Sequence, residues 1–162
     1  GQEIRHLLLH RKGDVAPRSE ALLYAADRAH HVATKIRPAL ERGEVVLTDR
    51  YLDSSVAYQG VGRALDAAEV RAISMFAVEN LLPALTILLD LPAEVARARR
   101  SQTGQEPDRL EREKVEFFEA VRQAYLEMAS REPERWLVID ASASIEAMQE
   151  QIRDRVKQLL AR

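Results

Sequence analysis

The sequence predicts an α/β protein in which helices cover a parallel sheet, and three observations carry that reading. Short apolar runs rich in branched residues stand at 45–48 (VVLT), 85–90 (LTILLD) and 136–140 (WLVID), as strands buried on both faces should. Helix-period patterns alternate with them, the order expected of parallel strands joined by crossover helices. Each run is followed by polar residues, and ligands of such sheets sit beyond the carboxyl ends of the strands.

The elements follow in chain order. Residues 19–43, SEALLYAADRAHHVATKIRPALERG, are expected to form a long helix that opens on Ser19, carries Glu20 in its first turn and closes at Gly43, with Pro38 kinking or restarting the last turns. The strand at 45–48 comes next. Further helical patterns run over about 66–80, 93–101 and 110–131, and a last one over 144–161 follows the third strand. Residues 101–108, SQTGQEPD, have the composition of a flap that opens and closes between two arginine-bearing helices. There is no internal repeat and no low-complexity stretch.

Composition excludes several function classes. At 162 residues, 46% of them hydrophobic and 31% charged, the chain is expected to be one globular domain with one core. Lys and Arg number 24 against 26 Asp and Glu, so the net charge of −2 gives no overall attraction to nucleic acid or an anionic membrane; any anion site is local. No apolar run reaches the ~20 residues needed to cross a bilayer, and GQEIRHLLLH lacks the form of a signal peptide, so a cytoplasmic location is expected. With no cysteine, disulfides, thiolate zinc sites and cysteine nucleophiles are all excluded.

The densest chemistry lies in residues 49–60, DRYLDSSVAYQG, directly after the first apolar run. Asp49 at a strand end has the character of a carboxylate that holds Mg²⁺ or its waters, and a turn or capping role is the alternative. Arg50 offers a planar fork suited to phosphate; a surface salt bridge is the plainer account. Ser54, Ser55 and Gln59 place two hydroxyls and an amide within one or two helical turns, enough to read the edge of a planar heterocycle, although capping also explains the serines. Tyr24 and Arg28, spaced i, i+4, project an aromatic ring and a guanidinium from one face of the long helix, where partial burial of the tyrosine is the ordinary alternative. His6, His10, His30 and His31 have no ligand spacing and read as surface or packing residues.

Four segments in order, EALLYAADRAHHV, IRPALERGEVVLTDRYLDSSVAYQGVGR, LLPALTILLDLPAEVARAR and DRLEREKVEFFEAVRQAYLEMA, resemble bacterial thymidylate kinase, a family of the P-loop nucleoside monophosphate kinases. The resemblance covers almost the whole chain. It implies a P-loop kinase-like parallel sheet covered by helices, transfer of the ATP γ-phosphoryl group to dTMP with Mg²⁺, and a homodimer, with dTMP and ATP rather than nucleic acid or membrane as partners. By the same resemblance Tyr24 stacks on thymine, Arg28 hydrogen-bonds the base, Arg50 grips the dTMP phosphate, and Ser55 and Gln59, with Ser54 adjacent, face the pyrimidine edge. Asp49 takes the position of the acid near Mg²⁺ and the reacting phosphates. In one branch of the family a lid supplies an arginine to the transferring group. Here the lid spans about 97–112, with Arg99 and Arg109 the first choices and Arg97, Arg100 and Arg112 nearby. Residues Val70, Ile73, Phe76 and Ala77 form an apolar face expected at the dimer interface, with core burial the alternative.

One departure is large. The family opens on a strand and a G-x-x-x-x-G-K-[ST] loop that cradles the ATP phosphates, followed by a second strand ending in another phosphate-facing arginine; neither string occurs in these residues. Three family strands are therefore expected here. The first two are absent, and GQEIRHLLLH corresponds to the helix after them. Since the sheet order implied is 2-3-1-4-5, the run at 45–48 should be parted from the one at 85–90. A chain of these residues alone is expected to be inactive and prone to aggregate through unpaired edges. Another nucleoside or nucleoside monophosphate kinase, or a non-catalytic nucleotide-binding module, remains as an alternative, to be separated by substrate preference and by the reading frame preceding Gly1.

Overall fold

Parallel strands hold together only where neighbouring N–H and C=O groups come within reach, and in the computed structural model two of the three apolar runs meet that condition. The structure describes residues 2–10, 14–102, 110 and 112–161. β1 (Thr86–Asp90) and β2 (Trp136–Asp140) pair in parallel, in register from Thr86 opposite Trp136 to Asp90 opposite Asp140. The ladder extends at both ends, where Thr86 N–H donates to the Arg135 carbonyl (2.7 Å) and Ala141 N–H to that of Asp90 (2.8 Å).

The third expected strand is not one. Residues 45–48 form no ladder with β1 or β2, which are the two strands among the described residues. Their period-2 pattern survives: Val46 packs inward, whereas Val45 and Leu47 are 80% and 91% exposed. Alternation decides which side chains face the core, but a strand also needs a partner.

Helices account for most of the rest. α1 (Gln2–His10) precedes α2 (Pro17–His31), which starts two residues before the expected Ser19, with Ala16 at the N-cap. Proline is favoured there because the first-turn N–H has no partner to lose. α2 runs through a π-helical turn (Val32–Ile36) into α3 (Arg37–Glu41). Pro38 has no N–H and crowds the preceding turn, and the widened turn just before it absorbs both defects. Gly43, at φ +76°, then closes the helix: its N–H donates to Leu40 O (2.9 Å) and Glu44 N–H to Ala39 O (3.1 Å).

α4 (Leu52–Ser55) continues as a second π-helical stretch (Val56–Gly62). α5 (Ala67–Ala77) is capped by the Asp66 carboxylate, which accepts from the Ala68 and Glu69 N–H groups, so it is shorter at both ends than the expected 66–80. α6 (Ala93–Ser101) matches the expected helix, and α8 (Ile145–Leu160) starts behind the Ser144 cap. α7 (Val115–Arg131) begins five residues later than the expected 110. Among the described residues no helix is long and apolar enough to cross a membrane.

Two apolar clusters fix the 49–62 segment from opposite sides. Leu52 packs with Val32, Ile36 and Val78, and Ala57 with Val121 and Ala124 of α7. At Gly62 the approach is so close that a Cβ would lie 2.7 Å from the Phe117 ring. The apolar face expected on α5 divides: Val70 and Ala77 are buried in the core, while Ile73 sits at the margin and Phe76 is 87% exposed.

Candidate functional site

The segment 49–62 starts with a strained bend. Arg50 has φ +63°, a left-handed conformation that costs a non-glycine residue roughly 1–2 kcal/mol, and the Thr48 hydroxyl supports it by donating to the Arg50 carbonyl at 3.1 Å. The bend turns the chain from the 45–48 run into α4. Asp49 and Arg50 are exposed, whereas residues 52–57 are buried throughout. Leu52 and Val56 anchor the helix in the interior.

That anchoring buries polar side chains as well, and each has a partner. Asp53, 2% exposed, accepts a two-pronged pair of bonds from Arg135, Nη1 to Oδ2 at 2.8 Å and Nη2 to Oδ1 at 2.9 Å. The same guanidinium donates to Thr86 at the start of β1 and to Glu132 at the end of α7, and lies over the Trp136 ring. One arginine thus ties α4 to both strands. Ser54 Oγ accepts from the Tyr125 hydroxyl at 2.7 Å; burial pushes the Tyr125 phenol up to about 12, although the bond to Ser54 works the other way. Ser55 Oγ accepts from Arg28 Nη1 at 3.0 Å. Gln59 Nε2 donates to Glu20 Oε1 at 2.8 Å. Glu20 also meets Arg63 Nε at 3.5 Å, and Arg63 Nη1 reaches Glu113 at 2.6 Å.

The arginines fall into two groups. Arg63, Arg122 and Arg135 are each neutralised by carboxylates, Arg122 through a two-pronged bond to Asp90 at 2.7 and 2.9 Å that holds the Asp90 carboxyl below its ordinary range. Arg28 and Arg50 differ. Arg28 bonds a serine hydroxyl and faces the Tyr51 ring at 5.8 Å. Arg50 bonds the Tyr58 hydroxyl at 3.2 Å and lies 4.7 Å over its ring. Among the described residues neither forms an ion pair with a carboxylate. Burial pulls Arg28 below the usual guanidinium value, and the Tyr51 phenol and Asp27 oppose it. Each cation is thus held to this segment by a neutral oxygen and keeps its charge for a ligand.

Residues 1–152 match the thymidylate kinase family profile. The chain is 64% identical over 156 residues to the thymidylate kinase of Leifsonia xyli subsp. xyli, a match covering 96% of this chain and 74% of that one. The chain belongs to the thymidylate kinase family. A member from Bifidobacterium longum (strain DJO10A) is 53% identical over 163 residues, 98% of this chain and 78% of its own length. One from Kosmotoga olearia is 44% identical over 152 residues, 94% of this chain and 73% of its own.

Within this family member, Arg28, Arg50, Ser54, Ser55 and Gln59 converge on one segment, and Tyr24 lies one helical turn before Arg28 on α2. Asp49 stands beside them as an exposed carboxylate. The lid residues do not join this group. Arg99, on α6, donates to the Ala141 carbonyl at the end of β2 (3.0 Å), and Arg97 borders a cleft with Glu94, Ser101 and Val115. Arg109 lies outside the described residues, as does much of the expected lid. Among the described residues no three His, Asp or Glu side chains converge on a metal position. His30 and His31 are exposed, as the sequence suggested.

The supporting residues Glu20, Tyr58, Arg63, Tyr125 and Arg135 escaped the sequence reading. For Glu20 a signal existed: with Tyr24 and Arg28 it completes an i, i+4, i+8 row on one helix face.

Proposed function

We propose that the protein containing this chain phosphorylates dTMP to dTDP with ATP and Mg²⁺, and that the 49–62 segment is its acceptor-nucleotide site. The observation that carries this reading is the pair Arg28 and Arg50, two cations held by hydroxyl groups where the half-buried Arg63, Arg122 and Arg135 have carboxylates. Arg50, with its fork at the strand end, takes the dTMP phosphate. Tyr24 stacks on thymine, Arg28 hydrogen-bonds the base, and Ser55 and Gln59, with Ser54 adjacent, face the pyrimidine edge. The relatives named thymidylate kinase support the substrate.

Mg²⁺ would rest on Asp49 together with nucleotide phosphates and water, since one carboxylate plus phosphates is a common way to hold this ion. When bound, it neutralises charge on the transferring phosphoryl group. Arg99 and Arg109 are its partners from the lid, brought in as the lid closes. No G-x-x-x-x-G-K-[ST] string occurs in these 162 residues, so the loop for the ATP phosphates is to be sought outside them, within a single kinase-like domain. A cytoplasmic homodimer, with nucleotides as its partners, completes the proposal; sedimentation giving a monomer at micromolar concentration would remove the dimer.

The test is a steady-state kinase assay on the full reading frame with ATP and Mg²⁺. dTMP should be used well ahead of thymidine, dCMP and AMP. Arg50→Lys keeps the charge but loses the fork, so kcat/KM for dTMP should fall roughly tenfold or more, the equivalent of one charge-assisted hydrogen bond. Equal use of dTMP and dCMP would refute the thymine assignment, and an Arg50→Lys protein with unchanged kcat and KM would make Arg50 structural.

A further inference from the structure

The most deeply buried polar group beside the acceptor segment is one to which the proposed chemistry gives no task. Glu20 is 0% exposed in the first turn of α2, and its Oε1 receives Nε2 of Gln59, itself 2% exposed, at 2.8 Å. A primary amide has two ends of similar shape and opposite character, a donor NH₂ and an acceptor oxygen, and packing alone scarcely tells them apart. A carboxylate distinguishes them completely, because when ionised it only accepts. Arg63, with Nε 3.5 Å from the same oxygen, approaches it as a second donor.

The two ends of a carboxamide point apart, so fixing Nε2 on Glu20 directs Oε1 away from it. Among the described residues this oxygen has no hydrogen-bond partner. Gln59 therefore offers a ligand an acceptor. Thymine presents a donor, N3–H, between its two carbonyls. Cytosine presents a bare N3 lone pair at the same place, which would face the amide oxygen lone pair to lone pair. Rejection of this kind is strong because a buried polar group is left opposed rather than merely unfilled.

We infer that Glu20 is a specificity-determining positioning residue: by holding the Gln59 amide with its oxygen toward the base, it makes the acceptor site favour a pyrimidine with a protonated N3 over one with a bare N3. The inference rests on the assignment of Gln59 to the base edge, and it adds a residue that touches no substrate. Glu20 acts through the orientation of its neighbour. The charge pair with Arg63 continues to Glu113, so one guanidinium bridges the orienting carboxylate to a second one.

The test compares kcat/KM for dTMP and dCMP in the full reading frame. Glu20→Gln is nearly isosteric, but its amide can accept from or donate to Gln59, so both orientations of Gln59 become satisfied. The dTMP-to-dCMP preference should then fall about tenfold, mostly through gain of dCMP turnover, while Arg28 retains part of the discrimination. The reciprocal exchange, Glu20→Gln with Gln59→Glu, puts an acceptor-only group toward the base and a donor behind it, and should restore the preference for dTMP. A merely structural Glu20 would lower stability or overall activity and leave the ratio unchanged, and that result in the folded single variant overturns the inference. If the single variant does not fold, the exchange variant decides: a preference like the parent's supports the inference, and its loss overturns it. A parent that uses dCMP as well as dTMP is a separate failure, of the thymine assignment itself.

Discussion

The acceptor segment and the lid helix carry the same kind of residue in opposite settings. Between Arg50 and Gly62, hydroxyls, an amide and a carboxylate are buried and bonded to partners on α2, α7 and the start of β2. Along α6, the arginines at 97 and 99 are exposed, and Arg99 reaches no further than a backbone carbonyl. The difference teaches where rigidity is placed: the segment proposed to read a flat base has its polar groups fixed beforehand, and the helix proposed to bring arginines to the phosphoryl group leaves Arg97 and Arg99 at the surface.

The contrast is broken most severely at Arg135. Replacing it with Ala leaves Asp53, 3% exposed at its side chain, as a buried charge without a partner, and should cost about 3–5 kcal/mol in urea denaturation of the full protein. A loss below about 1 kcal/mol would mean that Asp53 finds water and that α4 is not clamped. Gly62→Ala comes next. Its Cβ meets the Phe117 ring, which stacks edge-on against Tyr58, the support of Arg50. Overpacking should cost roughly 1–3 kcal/mol and raise KM for dTMP with it. Stability lost without any change in KM would separate the core from the site.

The lid side predicts the converse. Arg99→Ala removes one part-buried hydrogen bond from an exposed side chain, so the stability lost should stay near ~1 kcal/mol, while kcat falls more than dTMP binding. A variant as destabilised as Arg135→Ala would erase the distinction. The smallest effect is spectroscopic. Of the four tyrosines, Tyr125 should ionise only near pH 12 in a titration followed by phenolate absorbance. Because burial raises its folded value above the unfolded one near 10, its contribution is complete below about pH 10 and is lost as pH rises toward 12. Ionisation of all four near pH 10 would show that the Ser54 side of the pocket is wet.

The same contrast governs what could be read from the sequence. α6 and β2 were legible because their patterns are local, a helix-period run at 93–101 and a short apolar run at 136–140 followed by polar residues. The spacing of Tyr24 and Arg28 placed both on one helix face, but their expected roles came only from the family resemblance. Residues 45–48 had the right alternation, yet pairing depends on a neighbour that no local pattern reveals. Arg135 stands 82 residues from Asp53, and only the packing of α4 beside α7 and the start of β2 brings them together. Glu20 passed for ordinary first-turn acid chemistry because its partner, Gln59, lies on another element. Long-range polar pairing, the very feature that rigidifies the acceptor side, is what sequence patterns conceal most.

The left-handed backbone at Arg50 carries an evolutionary consequence. At φ +63° glycine is the residue with least to lose, so Arg50→Gly would relieve strain while giving up a ring contact worth about 0.5–1 kcal/mol at an exposed site. A library screened for cellular abundance alone would therefore hardly notice the loss of this arginine, and glycine should accumulate there by drift. A library screened for growth that depends on dTMP phosphorylation by this protein should hold arginine fixed. Set side by side, the two sequence profiles would read the requirement for Arg50 as heredity under two selections, without an assay of the enzyme.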